Sequence, residues 1–354
     1  MNDPVANESR RDGVSIYDVA RRAGVSPSTV SRAFTRPGRV STRTAAKVYQ
    51  AAEDLGYKKV NPEARAQDAS TRIVSVLTSD IDNPIIVDVV RALQATLEPH
   101  GYIVMVVDTH ESELSERNLF SRAITFSDGA ILASTRLSNH TIQKSFARKP
   151  LVVLNRETAG VACTVPDYTT GINRAVSLLA ELGHRSITYL SGPELSQANE
   201  VRWRSIQDAA EKVGLSSQAT PPLSPTAAGG RHGGEIFAES RTSAVIAYND
   251  LMAVGFAERA AEVGITSPAD YSLIGFDNIR IAAHANPSIT TIDTNQGMQS
   301  ELAARSLLLQ MSGKRLSRAV MRVPAALIVR ETTGAAPQTQ KAGIPRRLQA
   351  DSGS

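Results

Sequence analysis

Residues 17–34 read YDVARRAGVSPSTVSRAF, and this stretch decides the fold of the N-terminal part of the chain. Ser15 can accept a hydrogen bond from the first turn of a helix, and Gly24 can adopt the left-handed backbone conformation that ends it. Ser26 followed by Pro27 is typical of the start of a second helix. The stretch therefore predicts two short helices joined by a tight turn at Gly24.

The apolar positions of these two helices match a helix-turn-helix. Ala20 is small where the helices would touch, and Val30 would anchor the second helix on the core. A third helix is predicted after Ser41, in VSTRTAAKVYQAAEDLGY. The second helix would present four polar side chains to solvent: Ser28, Thr29, Ser31 and Arg32. Such a helix fits the major groove of DNA, where arginine reads guanine; the alternative is a three-helix bundle with a solvated polar face.

The positive charge of the chain is concentrated near its N-terminus. Residues 1–72 contain 13 Lys or Arg and 8 Asp or Glu, whereas residues 73–354 contain 26 and 27. A basic head on a neutral body is typical of a nucleic-acid-binding protein, although a solvated basic surface would have the same composition. The charge and the helix pattern together favour a DNA-binding head.

Composition excludes several other classes of protein. The only cysteine among the 354 residues, Cys163, leaves no intramolecular disulfide and no cysteine cluster for zinc or iron. No apolar run reaches the about 18 residues that a membrane helix needs, and the opening MNDPVANESRRD has no signal-peptide pattern. We expect a soluble, cytoplasmic protein with no cofactor and no structural metal.

From residue 73 the sequence alternates apolar runs with amphipathic stretches. The runs are IVSVLTS, YIVMVVD, GAILAS, PLVVLN, SITYLSG, TSAVIAYND and YSLIGFDN. They are typical of buried parallel strands separated by crossover helices. This pattern predicts an α/β body of two doubly wound lobes, with a ligand site at the carboxyl ends of the strands.

Polar residues follow several of these predicted strands. They are Asn83, Asn155, Arg156, Asp167, Asn249, Asp250, Asp277 and Asn278. Asp and Asn at such positions often cap the next helix, so each residue taken alone has a purely structural explanation. Their repetition at successive strand ends favours a polyol or sugar-like ligand in the crevice.

The segment VSIYDVARRAGVSPSTVSRAFTRPGRVSTRTAAKVYQAAEDLGY closely resembles the DNA-binding head of the lactose-repressor (LacI/GalR) family of bacterial transcriptional regulators. The phrases DIDNP, ELGHRSITYLSGP, NDLMAVGF, YSLIGFDN and PSITTI extend the resemblance over residues 14–333. It implies a helix-turn-helix head and a periplasmic-binding-protein-like body. It also implies a homodimeric repressor that binds an imperfectly palindromic operator and is controlled by a sugar or sugar-like effector, with purine-type effectors as an alternative.

The resemblance implies base or phosphate contacts for nine residues of the head: Tyr17, Ser28, Thr29, Ser31, Arg32, Arg39, Ser41, Thr44 and Tyr57. Pro27 occupies one of two specificity positions and offers no donor, so base discrimination would rest on Ser28 and Arg32. Family members then carry a hinge helix whose leucine enters the minor groove. This chain has Gln67 there, which can hydrogen-bond in the groove but cannot act as an apolar wedge. Residues 61–72 are thus either a hinge helix or a flexible linker.

The resemblance also implies a set of effector-binding residues in the body. They are Asn83, Asn155, Arg156, Asp167, Arg202, Asn249 and Asp277. Arg202 in EVRWRSI is the residue expected to clamp the polar groups of the effector, whereas the adjacent Trp203 is expected to pack in the body. Dimerisation is expected through helices at about residues 84–99 and 111–125.

Five segments follow from these interpretations. They are a disordered arm (1–13), the helix-turn-helix domain (14–60), the hinge or linker (61–72), the two-lobed effector-binding and dimerisation domain (73–333) and a disordered tail (334–354).

Two rival functions have weaker support. An enzyme is disfavoured because the chain lacks dinucleotide, P-loop and nucleophile-elbow motifs. TAAGGRHGGE is predicted to be a flexible loop, and His184 a residue at a helix end rather than a general base. A two-lobed solute-binding or sensor protein without gene-specific DNA recognition would have a similar body, but it would lack the basic helix-turn-helix.

Overall fold

The computed structural model describes residues 14–35, 40–55, 57, 70–110, 112–147, 149–313 and 320–338. The chain divides into two compact units, Met1–Ser70 and Thr71–Ser354. We call the described part of the first unit the head and that of the second unit the body. The predicted arm and residues 61–69 of the predicted hinge lie outside the described residues.

The head contains the three predicted helices: α1 (Ile16–Ala23), α2 (Pro27–Thr35) and α3 (Thr42–Asp54). Ser15 and Asp18 form a capping box on α1, in which the Ser15 N–H donates to the Asp18 carboxylate (2.9 Å) and the Asp18 N–H donates to Ser15 Oγ (3.4 Å). Gly24 ends α1 with φ at 65°, and Ser41 Oγ accepts from the Thr44 N–H (3.2 Å) at the start of α3. The local interpretation of these cap residues is confirmed.

The core of the head fixes α2 against its two neighbours. Val19, Val30 and Val48, one from each helix, are fully buried. Each such side chain stabilises the fold by roughly 1.5–3 kcal/mol when it leaves water. The Tyr49 hydroxyl donates to the Ala33 carbonyl oxygen (2.7 Å), which joins α3 to α2. The opposite face of α2 is left in solvent.

The body contains two six-stranded sheets, one in each lobe. The N-terminal lobe consists of β1 (Ile73–Thr78), α4 (Ile85–Leu97), a 3-10 turn (Glu98–His100), β2 (Ile103–Asp108), α5 (Glu113–Phe126), β3 (Gly129–Leu132), α6 (Asn139–Phe146), β4 (Leu151–Leu154), β5 (Ala162–Asp167), α12 (Gln296–Met311) and β11 (Val320–Pro324). Its sheet is parallel, in the order β11-β5-β4-β3-β1-β2. Apolar side chains cover both faces of the central strands, which explains their continuous apolar sequences.

The C-terminal lobe repeats this arrangement. It consists of α7 (Tyr168–Glu181), β6 (Ser186–Leu190), α8 (Gln197–Val213), β7 (Ser216–Ala219), α9 (Ala227–Glu239), β8 (Ala244–Ala247), α10 (Asp250–Glu262), β9 (Ser272–Phe276), α11 (Arg280–His284), β10 (Thr290–Asp293) and β12 (Ala326–Ile328). The sheet order is β12-β10-β9-β8-β6-β7, and only β12 runs antiparallel to its neighbour among these strands. Both lobes are therefore doubly wound, as predicted.

Within the described ranges of the body, the chain crosses between the lobes three times. The crossovers lie between β5 and α7, between β10 and α12, and between β11 and β12. The Ala325 N–H of the third crossover donates to the Asp167 carbonyl oxygen of the first (3.3 Å). Gly171 lies beside them, and a Cβ there would be 2.7 Å from Ile292 Cγ2. Only glycine lets α7 approach the crossovers this closely.

The prediction of a loop at TAAGGRHGGE was wrong, because these residues form the start of α9 and its cap. Thr226 Oγ1 accepts from the Gly229 N–H (3.2 Å) at the N-terminus. A Cβ on Gly230 would overlap the Met252 carbonyl oxygen of α10. Each glycine weakens a helix by about 1 kcal/mol. The close packing of α9 on α10, which requires glycine, offsets that penalty.

Described residues of the body continue past residue 333, where the tail was predicted to begin. The Ala336 N–H donates to the Leu182 carbonyl oxygen (2.8 Å). The fully buried His184 ring places Nε2 3.1 Å from the Gly334 carbonyl oxygen and Nδ1 2.9 Å from Ser243 Oγ. Because a carbonyl can only accept, Nε2 carries the proton, and burial lowers the pKa of the ring. His184 thus holds the segment that contains Gly334 against the C-terminal lobe.

Within the described part of the chain, no helix is long and apolar enough to span a membrane.

Candidate functional site

The solvent face of α2 carries the polar residues that the sequence placed there. Ser28, Ser31 and Arg32 are exposed, and Thr29 is half-buried. The Arg32 guanidinium folds back along the helix, where Nε donates to the Ser28 carbonyl oxygen and Nη2 to Ser28 Oγ, both at 3.2 Å. Both bonds are exposed to water, so Arg32 can exchange them for contacts to a base edge.

Other predicted DNA-contacting residues surround this helix. Tyr17 is 66% exposed on α1, and the Ser41 and Thr44 hydroxyls lie 2.8 Å apart at the start of α3. Helix starts with such hydroxyls suit phosphate oxygens. Tyr57 is half-buried with its ring 6.1 Å from that of Phe34, so it also belongs to the core of the head. The remaining two predicted contacts, Arg39 and Gln67, lie outside the described residues.

A cavity of about 120 Å³ lies between the two lobes of the body, at the carboxyl ends of their strands. Six of the seven predicted effector-binding residues line it: Asn83, Asn155, Arg156, Arg202, Asn249 and Asp277. This position is the one expected of a ligand site in doubly wound sheets. We call the C-terminal-lobe wall formed by Arg202, Asp277, Tyr168 and Tyr248 the charged floor.

The charged floor is buried and already fully assembled. Arg202 and Asp277 are 5% and 11% exposed and pair at 3.2 Å. The guanidinium also donates to the Tyr248 carbonyl oxygen and to the Tyr168 hydroxyl, and it lies 4.4 Å from the centre of the Phe276 ring. Burial raises the pKa of Asp277, and the positive charge of Arg202 opposes that rise. A ligand therefore meets an ion pair whose geometry is already set by the protein.

Asp167 is the predicted effector residue that does not line this cavity. Its Oδ1 accepts from the Thr169 N–H (3.2 Å) and its Oδ2 from the Thr170 hydroxyl (3.0 Å), so it caps α7. Asp167 thus caps a helix, which is the structural explanation that the sequence left open for Asp and Asn residues at strand ends. Its neighbour Tyr168 supplies the ring that faces the cavity.

Two of the lining residues combine a structural and a cavity-facing position. Asn249 Oδ1 caps α10 by accepting from the Met252 N–H (2.9 Å), and its Nδ2 donates to the Pro225 carbonyl oxygen (2.8 Å). Arg156 Nη1 donates to the Leu137 carbonyl oxygen (2.8 Å), and Nη2 donates to Asn139 Oδ1 (2.8 Å). Arg156 therefore braces the loop after β3 that forms the N-terminal-lobe wall.

Several lining residues were not found from the sequence. Tyr248 lies within VIAYND, immediately before Asn249, and that adjacency was the available signal. Gln296 gave no signal in the sequence, because it lies at the start of α12, after a crossover between the lobes. Its Nε2 donates to Asn155 Oδ1 (2.8 Å) across 141 positions of the chain. Trp203 stacks on Tyr189 at 5.7 Å in the lobe core, which confirms that it is a packing residue.

Comparison with known proteins decides the family. Residues 15–59 match the profile of the bacterial regulatory proteins of the lacI family, and residues 176–333 match the periplasmic binding protein-like domain. The HTH-type transcriptional repressor CytR of Escherichia coli K12 is 28% identical over 93% of this chain and 99% of its own length. The chain belongs to the LacI family. It is a DNA-binding transcriptional regulator with an effector-binding body, and because the family is not enzymatic, the expectation of a non-enzyme is confirmed.

Solved structures of LacI-family proteins share the fold. The structure of the lac repressor dimer bound to operator and the anti-inducer ONPF aligns with this chain at a TM-score of 0.69 and 24% identity. The alignment covers 92% of this chain and 100% of the lac repressor chain. For a LacI-family regulator from Enterococcus faecium with bound ribose, the alignment covers 74% of this chain and 99% of the other, with a TM-score of 0.67 and 24% identity. The helix-turn-helix head and periplasmic-binding-protein-like lobes are thus confirmed.

Proposed function

We infer that this LacI-family regulator represses transcription in the bacterial cytoplasm by binding, as a homodimer, an imperfectly palindromic operator, and that a sugar-like effector in the cleft changes its operator affinity. The observation that carries the effector part is the cavity, in which the charged floor faces amide side chains of the other lobe. Alternating donors and acceptors of this kind match the hydroxyl groups of a sugar.

The head supports direct reading of bases. Arg32 has an exposed guanidinium on the solvent face of α2, and a bidentate arginine contact to guanine contributes about 1–3 kcal/mol of discrimination. Pro27 offers no side-chain donor beside it. Ser28 and Arg32 therefore carry base discrimination, while Tyr17, Ser41 and Thr44 hold the phosphates.

Two features of the N-terminal lobe support a dimer. The predicted interface helices correspond to α4 and α5. Val87 on α4, and Leu114 and Phe126 on α5, are 47%, 71% and 62% exposed. Contiguous apolar patches are typical of surfaces that bind another chain, and these three side chains would contribute to such a patch in a dimer. A two-fold dimer would present two heads to the two halves of a palindrome. The lac repressor, which is similar to this chain, binds its operator as a dimer.

The effector acts through the equilibrium between body conformations. It can change operator affinity only if it binds the DNA-competent and the incompetent conformation with different affinity. A coupling free energy of about 1–3 kcal/mol is ordinary for such a switch. Because the cavity lies between lobes that are joined by three crossovers, closure of the lobes is the conformational change that the ligand would favour.

The first experiment measures DNA binding by fluorescence anisotropy. The full-length protein is titrated with DNA from immediately upstream of its own coding region and with a scrambled fragment, at two salt concentrations. We expect a preference of about a hundredfold or more that persists at the higher salt, because base contacts are less salt-sensitive than phosphate contacts. Equal binding that vanishes with salt would leave only electrostatic attraction and would contradict the proposal.

The second experiment addresses the effector. D-ribose, which the Enterococcus faecium relative binds, heads a panel of pentoses, hexoses and nucleosides tested for a change in operator affinity. Any active compound is then titrated into Asp277→Asn, which removes the carboxylate of the charged floor, and into the control Asp208→Asn, whose side chain is exposed on α8. Loss of compound binding in Asp277→Asn but not in Asp208→Asn supports the cleft as the effector site. Equal binding to both, or a panel with no active compound, would contradict the sugar-like effector.

A further inference from the structure

The turn after β9 has an unusual backbone. Asp277 and Asn278 are consecutive non-glycine residues with φ at 96° and 54°. Residues other than glycine seldom adopt positive φ, and two in succession need strong support from their surroundings. Asp277 belongs to the charged floor, so this turn determines where its carboxylate lies.

Buried groups of the C-terminal lobe provide part of that support. Asp250 is fully buried, and its carboxylate accepts from the Ile279 N–H (2.9 Å) and from the Thr291 hydroxyl (2.7 Å). Thr291 Oγ1 in turn accepts from the Asn278 N–H (3.2 Å). Hydrogen bonds from Asp250 of α10 and Thr291 of β10 therefore fix the backbone of the turn.

The side chain of Asn278 contacts two other segments. Its Nδ2 donates to Asp293 Oδ2 (3.1 Å) at the end of β10, and its Oδ1 accepts from Arg330 Nη2 (2.5 Å) just after β12. Asn278, Asp293 and Arg330 are all half-buried. β10 and β12 are the strands that lead into and out of two of the three crossovers.

Asp293 extends this chain of bonds into a crossover. Its second oxygen, Oδ1, accepts from the Asn295 N–H (2.7 Å), and Asn295 caps α12. The next residue, Gln296, lines the cavity from the N-terminal lobe and bonds to Asn155. The two oxygens of one carboxylate thus join the turn that carries Asp277 to the segment that carries Gln296.

We propose that Asn278 is a positioning residue that couples the charged floor, through Asp293, to the crossover at Asn295 and so to the opposite wall of the cleft. A ligand that moves Asp277 would move this crossover through the pair of hydrogen bonds on Asp293. The proposal rests on the effector-controlled function above for its regulatory meaning. The coupling itself is a property of the free protein and is tested there.

The test is a residue swap read by hydrogen–deuterium exchange of the full-length protein without DNA or sugar. Asn278→Asp keeps the acceptor for Arg330 but removes the donor to Asp293 and sets two carboxylates against each other. We expect amides of the Asn295 segment to exchange about fivefold faster or more, the factor that loss of one ordinary hydrogen bond predicts. The control Asn286→Asp adds the same charge at an exposed site of the same lobe.

The double variant Asn278→Asp with Asp293→Asn restores the arrangement with reversed polarity. The amide introduced by Asp293→Asn would donate to the carboxylate introduced by Asn278→Asp, and its carbonyl oxygen would accept from the Asn295 N–H. We expect exchange near Asn295 to return to within about twofold of the parent, which a general loss of packing would not do. Unchanged exchange in the single variant, or no rescue in the double variant, would overturn the proposal. Operator binding plays no part in either outcome, so failure here and failure of the proposed function are separate.

Discussion

The recognition helix and the charged floor each centre on an arginine, and they hold it in opposite ways. Arg32 is exposed, and its hydrogen bonds go to Ser28, four positions earlier on the same helix. Arg202 is 5% exposed, and its partners Tyr168, Tyr248 and Asp277 lie 34, 46 and 75 positions away. The first arginine can change partners when DNA arrives, whereas the second is committed before any ligand arrives. Substitutions should therefore act independently in the head and be strongly coupled in the cleft.

The largest effect is expected at Arg202. Arg202→Met should lower the free energy of unfolding of the body by about 3–5 kcal/mol, because it leaves the Asp277 carboxylate buried and unpaired. Urea unfolding followed by fluorescence of Trp203 measures this loss. The double variant with Asp277→Asn should be less destabilised than the sum of the two single variants. Additive losses would show that the pair is not coupled and would remove the contrast with the head.

Arg32→Ala is expected to act on DNA binding. The ratio of operator to scrambled-DNA affinity should fall by a factor that corresponds to about 1–3 kcal/mol, because a base contact is lost. The control Arg43→Ala removes an exposed charge of α3 and should weaken binding to both fragments alike, with a smaller salt dependence. Anisotropy titrations measure both. A ratio that Arg32→Ala leaves unchanged would argue against base reading by this residue.

The pH dependence of stability should also differ between the body and the head. Burial lowers the pKa of His184 below 6.5, so the unfolded chain takes up a proton more readily as pH falls below that value. The folded body should lose stability below pH 6.5, by at most about 1.4 kcal/mol per pH unit from this one group. The sequence of the head, up to residue 70, has no histidine and lacks this source.

Two variants assign that dependence. His184→Gln should flatten the slope of unfolding free energy against pH between about pH 7 and pH 5.5, the range in which an ordinary histidine titrates. His232→Asn, at an exposed position of α9, is the control that removes a histidine outside this buried site. If both variants keep the parent slope, the dependence comes from other groups.

The smallest effects are expected at the helix caps of the head. Ser15→Ala and Ser41→Ala each remove a side-chain acceptor from a helix start and should lower the stability of the head by about 1 kcal/mol. Hydrogen exchange of peptides from α1 and α3 measures each loss. The double variant should equal the sum to within about 0.5 kcal/mol, since the two caps lie on different helices. Strong non-additivity would show that the head is as coupled as the cleft.

The same contrast explains how much the sequence could predict. In the head, Ser15, Gly24 and Ser41 act within three or four residues of their partners, so spacing alone located the helix ends. The seven apolar runs of the body all became strands, because buried parallel strands need continuous apolar sequence. β7 has the sequence SSQA, is mostly exposed and lies at a sheet edge, so it gave no such signal.

The features that escaped prediction depend on contacts between distant segments. TAAGGRHGGE has the composition of a loop, and only the carbonyl of Met252 on α10 explains why Gly230 lies in a helix. Asp167 is the last residue of β5 and Asp277 directly follows β9, yet one caps a helix and the other pairs with Arg202. Gln296 reaches the cavity because β10 crosses into the other lobe. None of these partners can be found from local spacing.

The exchange of strands between lobes has a consequence for synthesis on the ribosome. β11 completes the edge of the N-terminal sheet beside β5, and β12 completes the edge of the C-terminal sheet beside β10. Both are translated after every other strand of the body described here. While the chain grows, β5 and β10 keep unpaired edges that can bind other nascent chains. A chain that terminates early, before residue 320, would therefore leave two sheets unfinished rather than one.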